Sequence, residues 1–134
     1  MLVPLSENRP IATPEDVVAV RQAVRQRAVE LGFNLVDQTK IVTAASELGR
    51  NAIQHGGGGQ VLVEIVSDGT RRGLRLAFED QGPGIADIQL AMKDGYSTAG
   101  GLGLGLSGAK RLSNEFAISS TPGGGTRVVI TRWK

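Results

Sequence analysis

Three short stretches decide what this chain builds: Glu47-Leu-Gly-Arg-Asn51, Asp80-Gln-Gly-Pro-Gly84 and Gly101-Leu-Gly-Leu-Gly105. The first places a carboxylate and an amide four residues apart, so that on a helix both lie on one face, one turn apart. The second places a carboxylate at the end of a strand-like run, directly before a turn. The third is backbone with few side chains that enters a new helix. Together, the three stretches offer a general base, a metal ligand, a polar anchor and a phosphate-binding loop. This combination predicts a nucleotide-binding site that also catalyses a reaction.

The composition limits the possible classes of protein. The 134 residues fit a single domain, 1–134, with 40% hydrophobic but only 4% aromatic residues. Few aromatic rings argue against single-stranded nucleic-acid binding, which relies on stacking. The absence of cysteine excludes disulfides and zinc–thiolate sites, and no apolar run reaches the roughly 20 residues that a membrane span needs. We therefore expect a cytoplasmic protein that binds neither nucleic acid nor membrane.

Hydrophobic spacing predicts two long helices in the first half of the chain. The first begins with Thr13 as its N-cap and Pro14 at the first helical position, and it stops at Gly32. The second begins near Asp37 and ends in the glycine run 56–59.

The second helix has an expected core face made of small and aliphatic residues: Ile41, Ala44, Ala45, Leu48 and Ala52. A polar stripe of Glu47, Asn51 and His55 runs along the flank of that face. We expect this stripe at the boundary between helix and core, where a cleft can open.

The second half of the chain is rich in strands. Alternating patterns at 61–66 and 74–79, joined by a turn-rich link, predict an antiparallel hairpin. After this hairpin, the pattern predicts a short helix at 86–92, a loop at 95–101 and a further helix at 106–114. A closing hairpin, with strands at 116–120 and 126–132, ends the predicted fold. The predicted fold is a two-layer α/β sandwich of the α+β type, with helices on one face of an antiparallel or mixed sheet.

Glu47 and Asn51 are the candidate catalytic pair. A carboxylate near a hydroxyl nucleophile can accept its proton during attack, which makes Glu47 the candidate general base. The amide oxygen of Asn51 is a hard ligand suited to Mg²⁺, an ion that relies largely on substrate phosphates. In isolation this pair would be an ordinary polar helix face, and only the downstream motifs favour chemistry.

Asp80 is the candidate anchor for a base. Its carboxylate can accept a hydrogen bond from an exocyclic amine, which would select adenine over guanine, and Gly82 and Gly84 would let backbone approach the base. The alternative is turn chemistry, because aspartate before glycine and proline often closes a turn. Thr126, which follows Gly125, is placed to hydrogen-bond near Asp80, or it simply starts a strand.

The glycine-rich run is the candidate phosphate site, and it consists of Gly101, Leu102, Gly103, Leu104 and Gly105. Its backbone N–H groups and the helix behind it predict an anion site. It lacks the lysine of a P-loop and the third glycine of a dinucleotide fingerprint. The preceding stretch suits a lid over phosphates, and the alternative is a plain surface loop.

In order and spacing, these motifs resemble the GHKL ATPase superfamily, whose members share the Bergerat ATP-binding fold. Glu47-x-x-x-Asn51 is similar to its N box and Asp80-x-Gly-x-Gly84 to its G1 box. Gly101-x-Gly-x-Gly105 is similar to its G2 box and Gly125-Thr126 to its last short motif. Any one match is weak, whereas four in the right order within one domain are specific.

Within that superfamily, the length and the stretches 79–85, 94–98 and 100–108 look most like the anti-sigma-factor serine kinases, in the RsbT-type branch of bacterial stress-signalling switch kinases. The resemblance implies binding of ATP and Mg²⁺ and transfer of the γ-phosphate to a serine or threonine of a STAS-domain protein. It also implies that the released kinase binds and activates a downstream phosphatase of the PP2C type.

By position, the resemblance makes Glu47 the general base, Asn51 the Mg²⁺ ligand and Asp80 the reader of adenine. The glycines of the G1 box would shape the base pocket, and those of the G2 box would hold phosphates. His55, the helix-interior Gly49 and the pair Lys110-Arg111 receive no role.

Two other functions compete with the kinase. One is an ATP-binding anti-sigma factor or adaptor that sequesters a partner with little catalysis; the carboxylate of Glu47 favours the enzyme, because a pure adaptor does not need it. The other is a detached histidine-kinase catalytic domain, which would require a phospho-acceptor histidine in a separate protein. The sequence leaves monomer and dimer open.

Overall fold

The computed structural model describes residues 2–85, Met92 and residues 105–134. Within these residues the helices are α1 (Pro14–Glu30), α2 (Leu35–Gly56) and α3 (Gly105–Arg111). The strands are β1 (Leu2–Ile11), β2 (Gly59–Ser67), β3 (Arg72–Asp80), β4 (Glu115–Ser120) and β5 (Thr126–Trp133). The short helix expected at 86–92 and the loop expected at 95–101 lie outside the described residues, apart from Met92.

The five strands form one sheet in the order β1-β2-β3-β5-β4. Every pairing in it is antiparallel, which decides between the antiparallel and mixed sheets that the sequence allowed. Val63, Leu76 and Ile130 are neighbours across three adjacent strands, and each is fully buried. The helices cover this apolar face, so the predicted α+β sandwich with helices on one face is confirmed.

Strand β1 is absent from our sequence prediction, because Pro4 and Pro10 interrupt its apolar pattern. In the structure β1 is the edge strand of the sheet and pairs with β2. Proline is tolerated at an edge, where a missing N–H need not serve a second neighbour. Ile11, the last residue of β1, is completely buried and ties the strand to the core.

Helix α1 begins as predicted. The hydroxyl of Thr13 accepts a hydrogen bond from the backbone N–H of Asp16 at 3.2 Å, and the Asp16 carboxylate accepts from the N–H of Thr13 at 3.2 Å. This reciprocal capping box satisfies donors that the first helical turn leaves open. The helix ends at Glu30, and Gly32 follows with a left-handed φ of 84°.

Helix α2 begins two residues before the predicted start, and its N-cap is Asn34 rather than Asp37. The side-chain oxygen of Asn34 accepts from the N–H of Asp37 at 2.8 Å. Leu35 and Val36 are 70% and 61% exposed, so the apolar periodicity that marks the rest of the helix gives no sign of its first turn. The predicted core residues of α2 are all buried: Ile41, Ala44, Ala45, Leu48 and Ala52.

Helix α3 is shorter than the predicted helix 106–114, since it ends at Arg111. Just after the helix, the hydroxyl of Ser113 donates to the carbonyl of Ala109, in the last turn of α3, at 2.7 Å. The N–H of Asn114 then donates to Thr131 and starts the pairing with β5. Among the described helices, none combines the length and apolar character needed to cross a membrane.

Candidate functional site

The polar stripe of α2 passes from the core to the surface, as its spacing predicts. Glu47 is 7% exposed, Asn51 is half-buried and His55 is exposed. A carboxylate and an amide therefore lie one helical turn apart at the boundary of the core. This is where a cleft residue can meet a ligand without being fully solvated.

Glu47 has a cationic partner that the sequence prediction missed. Arg50 donates from Nη2 to Oε1 of Glu47, and the Arg50 side chain remains 47% exposed. The pairing offsets the cost of removing a carboxylate from water. The sequence signal was available, because opposite charges three residues apart on a helix are neighbours.

Asp80 is the last residue of β3 and is 8% exposed. Its cross-strand neighbours are Gly59 on β2 and Thr126 on β5, so it stands at one end of the three central strands. Its Oδ1 accepts from the N–H of Gly82 at 2.9 Å. That contact is the turn chemistry considered above, yet a carboxylate has a second oxygen with which to accept a ligand donor.

The residues after Asp80 are held by the turn between β4 and β5. The N–H of Ile85 donates to the hydroxyl of Ser120 at 2.7 Å, and the N–H of Gly123 donates to the carbonyl of Pro83 at 2.7 Å. Gly84 has a left-handed φ of 78°, a conformation that favours glycine. Ser120 was not predicted as a site residue, since a serine ending an exposed strand carries no distinctive signal.

Thr126 lies where the sequence predicted, opposite Asp80 at the start of β5. Its Oγ1 is 2.9 Å from the hydroxyl of Ser120, and either of the two hydroxyls can be the donor in that contact. The Ser120 hydroxyl also donates to the carbonyl of Gly125 at 3.2 Å. The hydroxyl of Thr126 is thus engaged with Ser120, and its contact with a nucleotide stays a prediction.

The glycine-rich run is only partly described. Gly101, Leu102, Gly103 and Leu104 lie outside the described residues. Gly105 is the first residue of α3 and has a left-handed φ of 43°. Helix α3 packs against α2, so the run enters a helix beside the one that carries Glu47.

Helix α2 joins the first two motifs. Its last residue, Gly56, lies against the Asp80 side chain, so the helix that carries Glu47 and Asn51 ends at the candidate base anchor. Across residues 2–85 and 105–134, no group of three or more acidic, histidine or cysteine side chains could hold a metal. The oxygen of half-buried Asn51 nevertheless suits Mg²⁺, which needs few protein ligands when phosphates supply the others.

Comparison with known proteins identifies the family of this chain. Residues 36–134 match the family described as histidine kinase-, DNA gyrase B- and HSP90-like ATPases. The chain is 51% identical to the serine/threonine-protein kinase RsbT of Bacillus subtilis (strain 168), over 92% of each chain. It is 29% identical to the anti-sigma F factor of Clostridium novyi (strain NT), over 84% of this chain and 82% of that protein.

A solved structure shares the fold. The RsbU and RsbW domains of a Mycobacterium tuberculosis protein match with a TM-score of 0.67 and 24% identity, over 97% of this chain and 33% of that one. The range matched by the family model, 36–134, spans Glu47, Asp80 and the glycine-rich run 101–105. The chain therefore belongs to the histidine kinase-, DNA gyrase B- and HSP90-like ATPases, the GHKL superfamily, and within it to the RsbT-type serine/threonine-protein kinases.

Proposed function

We propose that this kinase transfers the γ-phosphate of ATP to a serine or threonine of a STAS-domain protein in a bacterial partner-switching pathway. On release it would bind and activate a PP2C-type phosphatase, and it would act in the cytoplasm. The observation that carries the proposal is the placement of Glu47. Its carboxylate is buried one turn from Asn51, on a helix whose last residue packs against the side chain of Asp80. Sequestration of a partner does not require such a carboxylate.

In the proposed reaction, Glu47 accepts the proton of the substrate hydroxyl as its oxygen bonds to the γ-phosphorus. The bond from that phosphorus to the β,γ-bridging oxygen breaks, and ADP leaves with the electron pair. A positioned base contributes about 10²–10⁴-fold to such a step. Mg²⁺ held by Asn51 and the phosphates would neutralise charge on the phosphoryl group.

The remaining site residues would bind the nucleotide. Asp80 would accept a hydrogen bond from the exocyclic amine of adenine, beside a pocket shaped by Gly82 and Gly84. Two features support this role: the Asp80 carboxylate is almost fully buried, and the hydrogen bond that we find to Gly82 uses its Oδ1. Thr126 would line the same pocket, and the run 101–105 would contact the phosphates.

The test is transfer of labelled γ-phosphate from Mg·ATP to STAS-domain proteins of the same genome, with Glu47→Gln as the decisive variant. We expect wild-type protein to label a serine or threonine and Glu47→Gln to lose about 10²–10⁴-fold in rate. ATP affinity should be unchanged in the variant, because the base acts in the chemical step. Glu30→Gln, which alters an exposed carboxylate on α1, is the matched control and should transfer normally.

Full transfer by Glu47→Gln would remove Glu47 as the base. ATP binding without transfer to any STAS-domain protein would favour the adaptor, a role suggested by the similarity to a protein named anti-sigma F factor.

A further inference from the structure

The end of helix α2 makes a contact that the proposed mechanism does not use. Gly56 packs so closely on Asp80 that a Cβ added to it would lie 2.5 Å from Oδ2 and 2.6 Å from Cβ of Asp80. Both distances are far shorter than a van der Waals contact. The last residue of α2 therefore has room for hydrogen and for nothing larger.

A second glycine packs closely on the same residue. A Cβ on Gly82 would lie 2.5 Å from the Cα and 2.9 Å from the carbonyl oxygen of Gly56. Here backbone meets backbone, so no side chain can turn away to make room. Gly56 is thus in close contact with both the carboxyl group of Asp80 and the backbone of Gly82.

Asp80 has little freedom to retreat from a larger residue at position 56. It is paired on both sides, with Gly59 on β2 and Thr126 on β5. Its Oδ1 is also bound to the N–H of Gly82 at 2.9 Å. A methyl group at position 56 must therefore rotate the Asp80 side chain and break or stretch this hydrogen bond.

Backbone conformation alone does not require glycine at position 56. Gly56 is not among the described glycines with positive φ, and it lies within a helix, where alanine is favoured by about 1 kcal/mol. What excludes a side chain is its contact with Asp80. The position is therefore constrained by the orientation of one carboxylate.

We infer that Gly56 is a positioning residue for the nucleotide base: it fixes the direction in which Asp80 presents its second oxygen, Oδ2, to an exocyclic amine. The inference rests on the proposed role of Asp80 and deepens it. It also links the two halves of the site, because α2 carries Glu47 and Asn51 and ends against the base anchor. A shift of α2 would then move the candidate general base, Glu47, and the adenine-binding carboxylate, Asp80, together.

The test compares Gly56→Ala with Gly49→Ala, which adds the same methyl group to the same helix. A Cβ on Gly49 would lie 3.4 Å from a Val17 methyl group, an ordinary contact. Affinities for ATP and for ITP, which carries an oxygen in place of the 6-amine, are measured by calorimetry. We expect Gly56→Ala to lose at least tenfold in ATP affinity and most of its preference for ATP over ITP, with Gly49→Ala unchanged in both.

A general loss of packing would weaken both nucleotides equally and would not change their ratio, so the ratio separates positioning from destabilisation. Gly56→Ala with wild-type affinity and preference would overturn the inference. So would an equal loss for ATP and ITP.

Asp80→Asn separates this inference from the proposed function. If Asp80→Asn loses the ATP preference and Gly56→Ala keeps it, Asp80 is the anchor and Gly56 does not position it. If Asp80→Asn keeps the preference, the anchor itself is wrong.

A measurement on the wild-type chain applies even if Gly56→Ala fails to fold. With ¹⁵N-glycine labelling, the amide signals of Gly56 and Gly82 should shift on ATP addition and shift less with ITP. The amide of Gly69, in the exposed turn between β2 and β3, should not move. Equal shifts with both nucleotides, or a shift at Gly69 alone, would contradict the inference.

Discussion

The two ends of the β-sheet are built differently. At the end marked by Asp80, five glycines pack so closely that a Cβ on any of them would clash: Gly56, Gly59, Gly82, Gly84 and Gly125. At the other end, where β2 turns into β3, one such glycine, Gly73, packs against Trp133, and long polar side chains join the elements. Arg71 pairs with Asp68 at 2.8 Å and stacks 4.1 Å from the centre of the Trp133 ring, and Trp133 in turn donates to Glu115.

This difference separates binding from stability. Glycine loses more conformational freedom on folding than other residues, so an end built from glycines is costly to order. The cost is acceptable where backbone must approach a ligand closely. Side-chain links accumulate at the end that has no such requirement. Changes near Asp80 should therefore alter nucleotide binding, and changes at the distal end should alter stability alone.

The largest effect on nucleotide binding should come from Asp80→Asn. The substitution keeps the size of the side chain but replaces one acceptor oxygen by a donor, which cannot accept the adenine amine. We expect ATP affinity to fall at least tenfold, equivalent to about 1.4 kcal/mol. Calorimetric titration with ATP measures it, and a thermal melt within a few degrees of wild type shows that the fold is intact. Unchanged affinity would mean that the glycine-built end serves another purpose.

The sequence predicted the elements with clear periodicity and left out those whose signals conflict. The N-cap of α1 at Thr13 and the core face of α2 follow from local chemistry, so they were found. Strand β1 was missed because its prolines oppose a strand in isolation, and only its edge position makes them tolerable. The start of α2 was placed at Asp37 because the true first turn is exposed.

The sequence offered individual candidate residues for the site, but it did not predict the residues that hold them in place. Glu47, Asn51 and Asp80 were singled out because their motifs occur together and in order with the glycine-rich run, whereas each motif alone would be an ordinary polar helix face or a turn. Ser120 and Gly56 act through contacts with residues about 35 and 24 positions away, respectively, and local spacing contains no record of such contacts. The roles of Ser120 and Gly56 cannot be predicted from local sequence, because only folding brings the end of β4 and the end of α2 close to Asp80.

The largest effect on stability is expected away from the glycine-built end. Arg132 donates from Nη2 to Asp37 at 2.6 Å and from Nη1 to the carbonyl of Leu112 at 3.1 Å, and its side chain is 13% exposed. Arg132→Gln removes a charged link between β5, α2 and the end of α3. Hydrogen bonds to charged groups contribute about 1.5–3 kcal/mol, so we expect a loss in this range by urea denaturation.

Arg127→Gln is the matched control on the same strand. Its ion pair with Glu79 is 3.9 Å long, and both side chains are about half exposed, at 53% and 44%. Such pairs contribute about 0–1 kcal/mol. Arg132→Gln, at the distal end, should bind ATP as the wild type does. Loss of ATP affinity in Arg132→Gln without loss of stability would contradict the division between the two ends.

A smaller and mixed effect is expected from Ser120→Ala. The substitution removes the acceptor for the N–H of Ile85 and the hydroxyl partner of Thr126. Stability should fall by about 1 kcal/mol, and ATP affinity should fall a few-fold because the residues after Gly84 lose a support. Ser119→Ala, on the exposed face of the same strand, should change neither quantity. Chemical denaturation and ATP titration of both variants measure the two effects together.

The smallest effect should come from Asp68→Asn at the distal turn, and it should depend on pH. The side chain of Arg71 and the backbone N–H groups of Arg71 and Thr70 bind the Asp68 carboxylate and hold its pKa well below the usual range. The folded state therefore binds this proton less readily than the unfolded chain, where the pKa is about 3.9. The stabilisation is fully present above that value and is lost as the pH falls through the pKa of the folded protein.

Urea denaturation should show wild type slightly more stable than Asp68→Asn at pH 7, and the difference should shrink below about pH 4. A difference that grew on acidification would reverse the sign of this linkage, and a change in ATP affinity would mean that the two ends are not independent.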